Sequence, residues 1–108
     1  MRIIFEVECV LGKKIRLTME RWHHIYYEHP EIDEMYIKKS SETLLDPDAV
    51  VKNNKDPTEF LYHKYYPKTY FGGRYLVVVV KHLNSEGFII TLYLTSKIKI
   101  GEIVWKRN

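Results

Sequence analysis

The chain has 108 residues, 45% of them hydrophobic, and a formal net charge of +3. That length allows a single domain, residues 1–108, and leaves little room for a second core. No run nears the roughly 18 apolar residues of a membrane span, none near the start is long enough for a signal peptide, and the lone Cys9 excludes an internal disulfide and a cysteine-pair zinc site. These features point to a cytoplasmic protein with no membrane partner, and Cys9 reads as a small buried hydrophobe.

The net charge hides an asymmetry. Residues 1–48 carry seven Lys/Arg against ten Asp/Glu, a balance of −3, and residues 49–108 carry ten against four, a balance of +6. A basic half can attract a polyanion, although a solvated lysine-rich surface gives the same count.

Residues 2–10 alternate as a strand, with Ile3, Phe5, Val7 and Cys9 on one face. Leu11-Gly12-Lys13 reads as a hairpin turn, and residues 14–17 return as a second strand. Thr18 is placed to cap a helix running to about Glu28, with Glu20 in its first turn and Trp22, Ile25 and Tyr26 on one stripe. Pro30 disfavours helical geometry at His29 and sets it just past the helix end. A second helix is expected over 33–45, carrying Ile37, Leu44 and Leu45, and Asp46-Pro47-Asp48 ends it.

The remainder reads as strands. Residues 49–51 start one, residues 53–57 form a loop, and residues 60–66 form the next strand. A connection with a Gly-Gly turn covers 67–73. Residues 75–82 hold four consecutive valines, the mark of a strand covered on both faces. A hairpin loop at 84–87 leads to the last long strand, 88–95, and a short edge strand is expected at 103–105. The order predicts an α+β fold: an N-terminal hairpin and two helices packed on one face of a three- to five-stranded antiparallel sheet.

Three of the five histidines lie between Arg21 and Pro30. Histidine is the side chain whose unperturbed pKa lies nearest neutrality, so this stretch is the natural place for acid–base chemistry. His24 and Glu28 are i, i+4 neighbours, His29 sits at the end of the helix where its dipole attracts positive charge, and His23 reads as packing. On the last long strand, strict alternation sets Phe88, Ile90, Leu92 and Leu94 toward the core and Ile89, Thr91, Tyr93 and Thr95 toward an open face. Thr91 and Tyr93 could there donate hydrogen bonds to a phosphate. In strand 60–66, tyrosines could stack bases and Lys64 could pair a phosphate, while cross-strand packing explains each tyrosine as well. No His-Glu-x-x-His pattern, phosphate-binding Gly loop or Gly-x-Ser-x-Gly elbow is present, so no metal or other cofactor is expected.

Arg21-Trp22-x-His24-Ile25 with His29-Pro30-Glu31 forms a pattern with four later segments. These are Leu61-Tyr62-x-Lys64-Tyr65-Tyr66, the run from Tyr75 to Lys81, Gly87-Phe88-Ile89-Ile90-Thr91-x-Tyr93-Leu94-Thr95 and Gly101-Glu102-x-x-Trp105. The set, spanning about Ile15 to Lys106, resembles small prokaryotic and phage proteins placed with the barnase–EndoU–colicin–RelE nuclease superfold. Leu92 departs from the small residue those proteins carry between Thr and Tyr. The resemblance implies metal-independent cleavage of single-stranded RNA by 2′-OH attack, leaving a 2′,3′-cyclic phosphate, often in a toxin held by an antitoxin protein. It implies catalytic roles for His24, His29, Thr91 and Tyr93. Lys64 is added to stabilise the phosphorane, with Tyr62, Arg74 and Lys97 as RNA-binding residues. The competing expectation is a non-catalytic RNA- or protein-binding module on the same fold.

Overall fold

The computed structural model describes residues 2–108. Strands β1 (Ile3–Glu8) and β2 (Lys14–Thr18) form a hairpin, and helices α1 (Met19–Glu28) and α2 (Met35–Leu45) follow. Strands β3 (Ala49–Lys52), β4 (Glu59–Thr69), β5 (Gly72–His82), β6 (Glu86–Thr95) and β7 (Glu102–Lys106) complete the described chain. The seven strands form one sheet in the order β1-β2-β6-β5-β4-β3-β7.

This corrects the expectation of a three- to five-stranded antiparallel sheet with the hairpin and helices packed on it. The hairpin extends the sheet instead, because β2 pairs parallel with β6 through Lys14↔Glu86, Ile15↔Gly87 and Arg16↔Phe88. The sheet is thus mixed, and β7 closes its other edge on β3. Parallel pairing joins segments far apart in the chain, and no local hydrophobic period announces it. Only the two helices form the second layer, α1 against β2 and β6, α2 against β1, β4 and β5. No described helix is long and apolar enough to cross a membrane.

Local chemistry sets the helix limits. The Thr18 hydroxyl accepts the Arg21 backbone N–H at 3.2 Å, the expected cap of α1. α2 starts two residues later than expected, where the Asp33 carboxylate accepts the Met35 N–H at 3.0 Å. Its buried residues are Tyr36, Ser40, Thr43 and Leu44, with Ile37 partly buried against the core; of the expected Ile37, Leu44 and Leu45, only Leu45 is exposed. Ser40 and Thr43 are tolerated there because their hydroxyls donate back to the carbonyls of Ile37 and Lys39, each at 2.7 Å.

The core lies between the helices and the inner face of the sheet, where Ile15, Leu17, Ile25, Leu44, Val78 and Leu92 are fully buried. The β4–β5 hairpin runs past Pro67 to Thr69↔Gly72, with a register shift after Tyr66 that accommodates the proline's missing N–H. Gly72, at φ 84°, closes its turn, one residue before the end of the expected Gly-Gly connection. Val77 to Val80 are all buried, as two-sided cover requires. On the outer face that cover includes residues 96–101, which lie against β3 and β4: Lys99 bonds His63, and Gly101 packs on Val51.

Candidate nucleic-acid interface

A bulge in β6 builds the outer face. Val79 pairs with Thr91 and Val80 with Ile89, so Ile90 is an extra residue and the alternation reverses there. Ile89 therefore turns into the core at 1% exposure, while Phe88 moves to the outer face beside Thr91 and Tyr93 at 37%. Both placements correct the strict alternation expected from the sequence.

Arg16 lies opposite Phe88 in the parallel pair, on the same outer face, because its neighbours Ile15 and Leu17 are buried. Its Nη2 is 3.3 Å from Glu6 and 3.8 Å from Glu86. Its Nε is buried and has no hydrogen-bond partner, unlike every other buried side-chain nitrogen and oxygen among the described residues. An unmet buried donor costs free energy.

Beyond Arg16 the chain turns into α1, and the gap beside β6 forms a cleft. One cavity of about 350 Å³ is bounded by Arg16, Thr18, Arg21, Glu86 and Phe88. A second, of about 290 Å³, is bounded by Thr18, Glu20, Arg21 and His24. The two share Thr18 and Arg21. Two guanidiniums can hold a phosphate, Phe88 offers a stacking surface, and Glu20 and His24, i, i+4 on one helix face, can exchange protons.

His24 is thus in the cleft, with its Nε2 3.7 Å from Glu28 at the solvent side. His29 is not: its backbone N–H closes α1 on the Ile25 carbonyl at 2.8 Å, and its Nδ1 lies 3.6 Å from Glu31. Lys64 projects from the inner face of β4, where its Nζ donates to the Asp46 carbonyl at 2.9 Å. Arg107, and secondarily Lys64, hold the Asp46 carboxyl below its usual range. Thr91 is half-buried on the cleft's face of β6, and Tyr93 lies under the Lys99 ammonium, 5.5 Å from the ring centre. Burial raises the Tyr93 phenol above its ordinary pKa. The five residues expected to form one catalytic set therefore occupy separate places: His24 in the cleft, Thr91 and Tyr93 along the outer face, His29 and Lys64 on the helix side.

The expected RNA contacts divide similarly. Tyr62 is fully buried under the helices and cannot meet RNA; its phenol bonds Cys9 Sγ and His82 Nε2, each at 3.0 Å. Arg74 donates to the Gly73 carbonyl at 2.8 Å near the β4–β5 turn, and Lys97 is exposed in the 96–101 segment. Arg16, Glu20, Arg21 and Phe88, which border the two cavities, were not among the expected site residues. The readable signal for Arg16 was its position between two buried apolar residues, and for Arg21 its place in the first turn after the Thr18 cap.

Two histidines outside the helix are structural. His63 Nδ1 donates to the Leu61 carbonyl at 2.9 Å and Nε2 accepts the Lys99 N–H at 3.1 Å, an arrangement only the neutral ring satisfies. Burial lowers its pKa. Burial, with the Lys13 ammonium adding to it, lowers His82 to about 4. Among the described residues no three His, Cys, Asp or Glu side chains converge as a metal cage. Comparison of the chain with protein-family models, curated proteins and solved structures found no match in any of the three.

Proposed function

We propose that this chain acts on single-stranded RNA as a metal-independent endonuclease, with the reacting phosphate in the cleft between α1 and the β2–β6 pair. The observation that carries the reading is the shared wall of the two cavities: Arg21 and Thr18 join the Glu20/His24 pocket to the Arg16/Phe88 pocket. Glu20 takes the 2′-OH proton, O2′ bonds to phosphorus, and the P–O5′ bond breaks as His24 gives a proton to the leaving oxygen. The products are a 2′,3′-cyclic phosphate and a 5′-OH. Arg16 and Arg21 stabilise the extra negative charge of the phosphorane, and Phe88 stacks the adjoining base. Incubation of the chain with unstructured RNA in excess chelator, followed by analysis of the product ends, tests it. Cyclic-phosphate ends lost in His24→Ala support the reading, and intact RNA or ends unchanged in that variant overturn it.

A second reading is a module that holds RNA without cutting it. It is favoured by the position of His29, which closes α1 instead of joining His24 in the cleft. It predicts salt-sensitive RNA retention and no products.

A further inference from the structure

The other end of the helix layer has a different chemistry. A cavity of about 560 Å³ opens beside α1 and the start of α2, walled by Trp22 and Tyr26, whose rings stack with centres 6.2 Å apart. A second, of about 600 Å³, continues past Tyr36 to Lys68 and Tyr70 on the β4–β5 hairpin. Asp33 and Met35 border both, so the two make one trough. Apolar surface lies open along it: Tyr26 is 49% exposed, Met35 57% and Tyr70 84%. Glu31, Asp33 and Glu34 line it against one lysine, Lys68, and the Glu34 carboxylate has no hydrogen bond or ion pair among the described residues. Tyr36 records the same negative field, its pKa raised by burial and then by Asp33 and Glu31.

We propose that this trough docks a lysine- or arginine-bearing peptide segment of a partner protein. Charge complementarity selects the occupant. Carboxylates beside open aromatic faces suit a cation on an apolar stem, which can pair with the first and lie over the second. RNA phosphates would be repelled here, where Glu31, Asp33 and Glu34 face a single lysine. The chain as a whole is cationic at +3, so a basic peptide gains nothing from its net charge and must find this local field. The inference is independent of whether the cleft cuts RNA.

The test uses the full chain and two fluorescein-labelled octapeptides, one alternating lysine and leucine, the other glutamate and leucine. Fluorescence anisotropy should show binding of the first only. Affinity should fall about threefold in Tyr26→Ala and in Tyr70→Ala, and about tenfold in Glu34→Lys. Glu34→Gln serves as a milder check should the reversal disturb folding. Amide NMR shifts should centre on 33–36 and Tyr70. Equal binding of the acidic peptide, indifference to all four variants, or shifts centred on the Arg16/Arg21 cleft would each overturn the proposal. So would a trough covered only by a second copy of the chain, seen as concentration-dependent shifts without peptide.

Discussion

His63 Nε2 accepts the backbone N–H of Lys99 at 3.1 Å, and this bond ties the segment between β6 and β7 to the outer face of β4. The ring is fully buried and its other nitrogen is held by Leu61, so both its tautomer and its orientation are fixed. Replacing His63 by Ala removes the acceptor and opens a cavity, at a cost of about 2–4 kcal/mol. Urea unfolding measures the loss. Hydrogen exchange at the Lys99 amide should accelerate more than exchange in β5, because the segment loosens before the sheet does.

Both buried histidines make stability depend on pH. Their folded pKa values lie below the ordinary value of 6.5, so the unfolded chain binds more protons between the two. Stability is complete above about pH 6.5 and falls as the pH drops through the window toward about 4, where the folded His82 titrates. His82 alone should contribute on the order of 3 kcal/mol to that fall. Urea midpoints at pH 7.5 and 4.5 test this, and the slope should flatten in His82→Phe. An equal slope in that variant would assign the pH dependence to other groups.

The Tyr62 phenol joins Cys9 to His82 inside the core. Tyr62→Phe keeps the ring and leaves the thiol and the imidazole without their shared partner, which should cost about 1–3 kcal/mol. RNA retention should stay unchanged, since the hydroxyl never reaches the surface. A Tyr62→Phe chain with normal stability and weakened RNA binding would contradict the buried placement.

Wherever a side-chain pattern and a local cap agreed, the fold was legible. Thr18 announced α1, the valine run announced a strand covered twice, and Ala49 to Val51 announced β3. The parallel β2–β6 pair was not legible, because it depends on two strand edges meeting across most of the chain. The Ile90 bulge was equally hidden: Phe88-Ile89-Ile90 is apolar throughout, so nothing in it says which residue is extra. That single residue decides which side chains share the candidate site, because it moves Phe88 to the face of Thr91 and Tyr93. His24 stood out by its i, i+4 spacing from Glu28 and by the resemblance. Its neighbours Arg16 and Arg21 did not, since the cleft that joins them exists only once β2 lies beside β6.

The proposed function separates the roles of Arg21 and His24, in the cleft, from that of His29, outside it. Arg21 borders both cavities and should bind phosphate, so Arg21→Ala should weaken RNA retention across sequences and lower the slope of log affinity against log salt by about 0.7. His24→Ala removes a proton donor that is 58% exposed and carries no packing, so cleavage should disappear while retention and thermal midpoint hold. His29→Ala keeps the backbone N–H that closes α1 and removes only the side chain beside Glu31, so the thermal midpoint should fall by at most about two degrees and cleavage rates should stay within about twofold. Gel-based cleavage, filter binding at several salt concentrations and thermal unfolding on the same three variants separate the roles. Loss of cleavage in His29→Ala at full stability would return that residue to the chemistry and move the reacting phosphate toward the far end of α1.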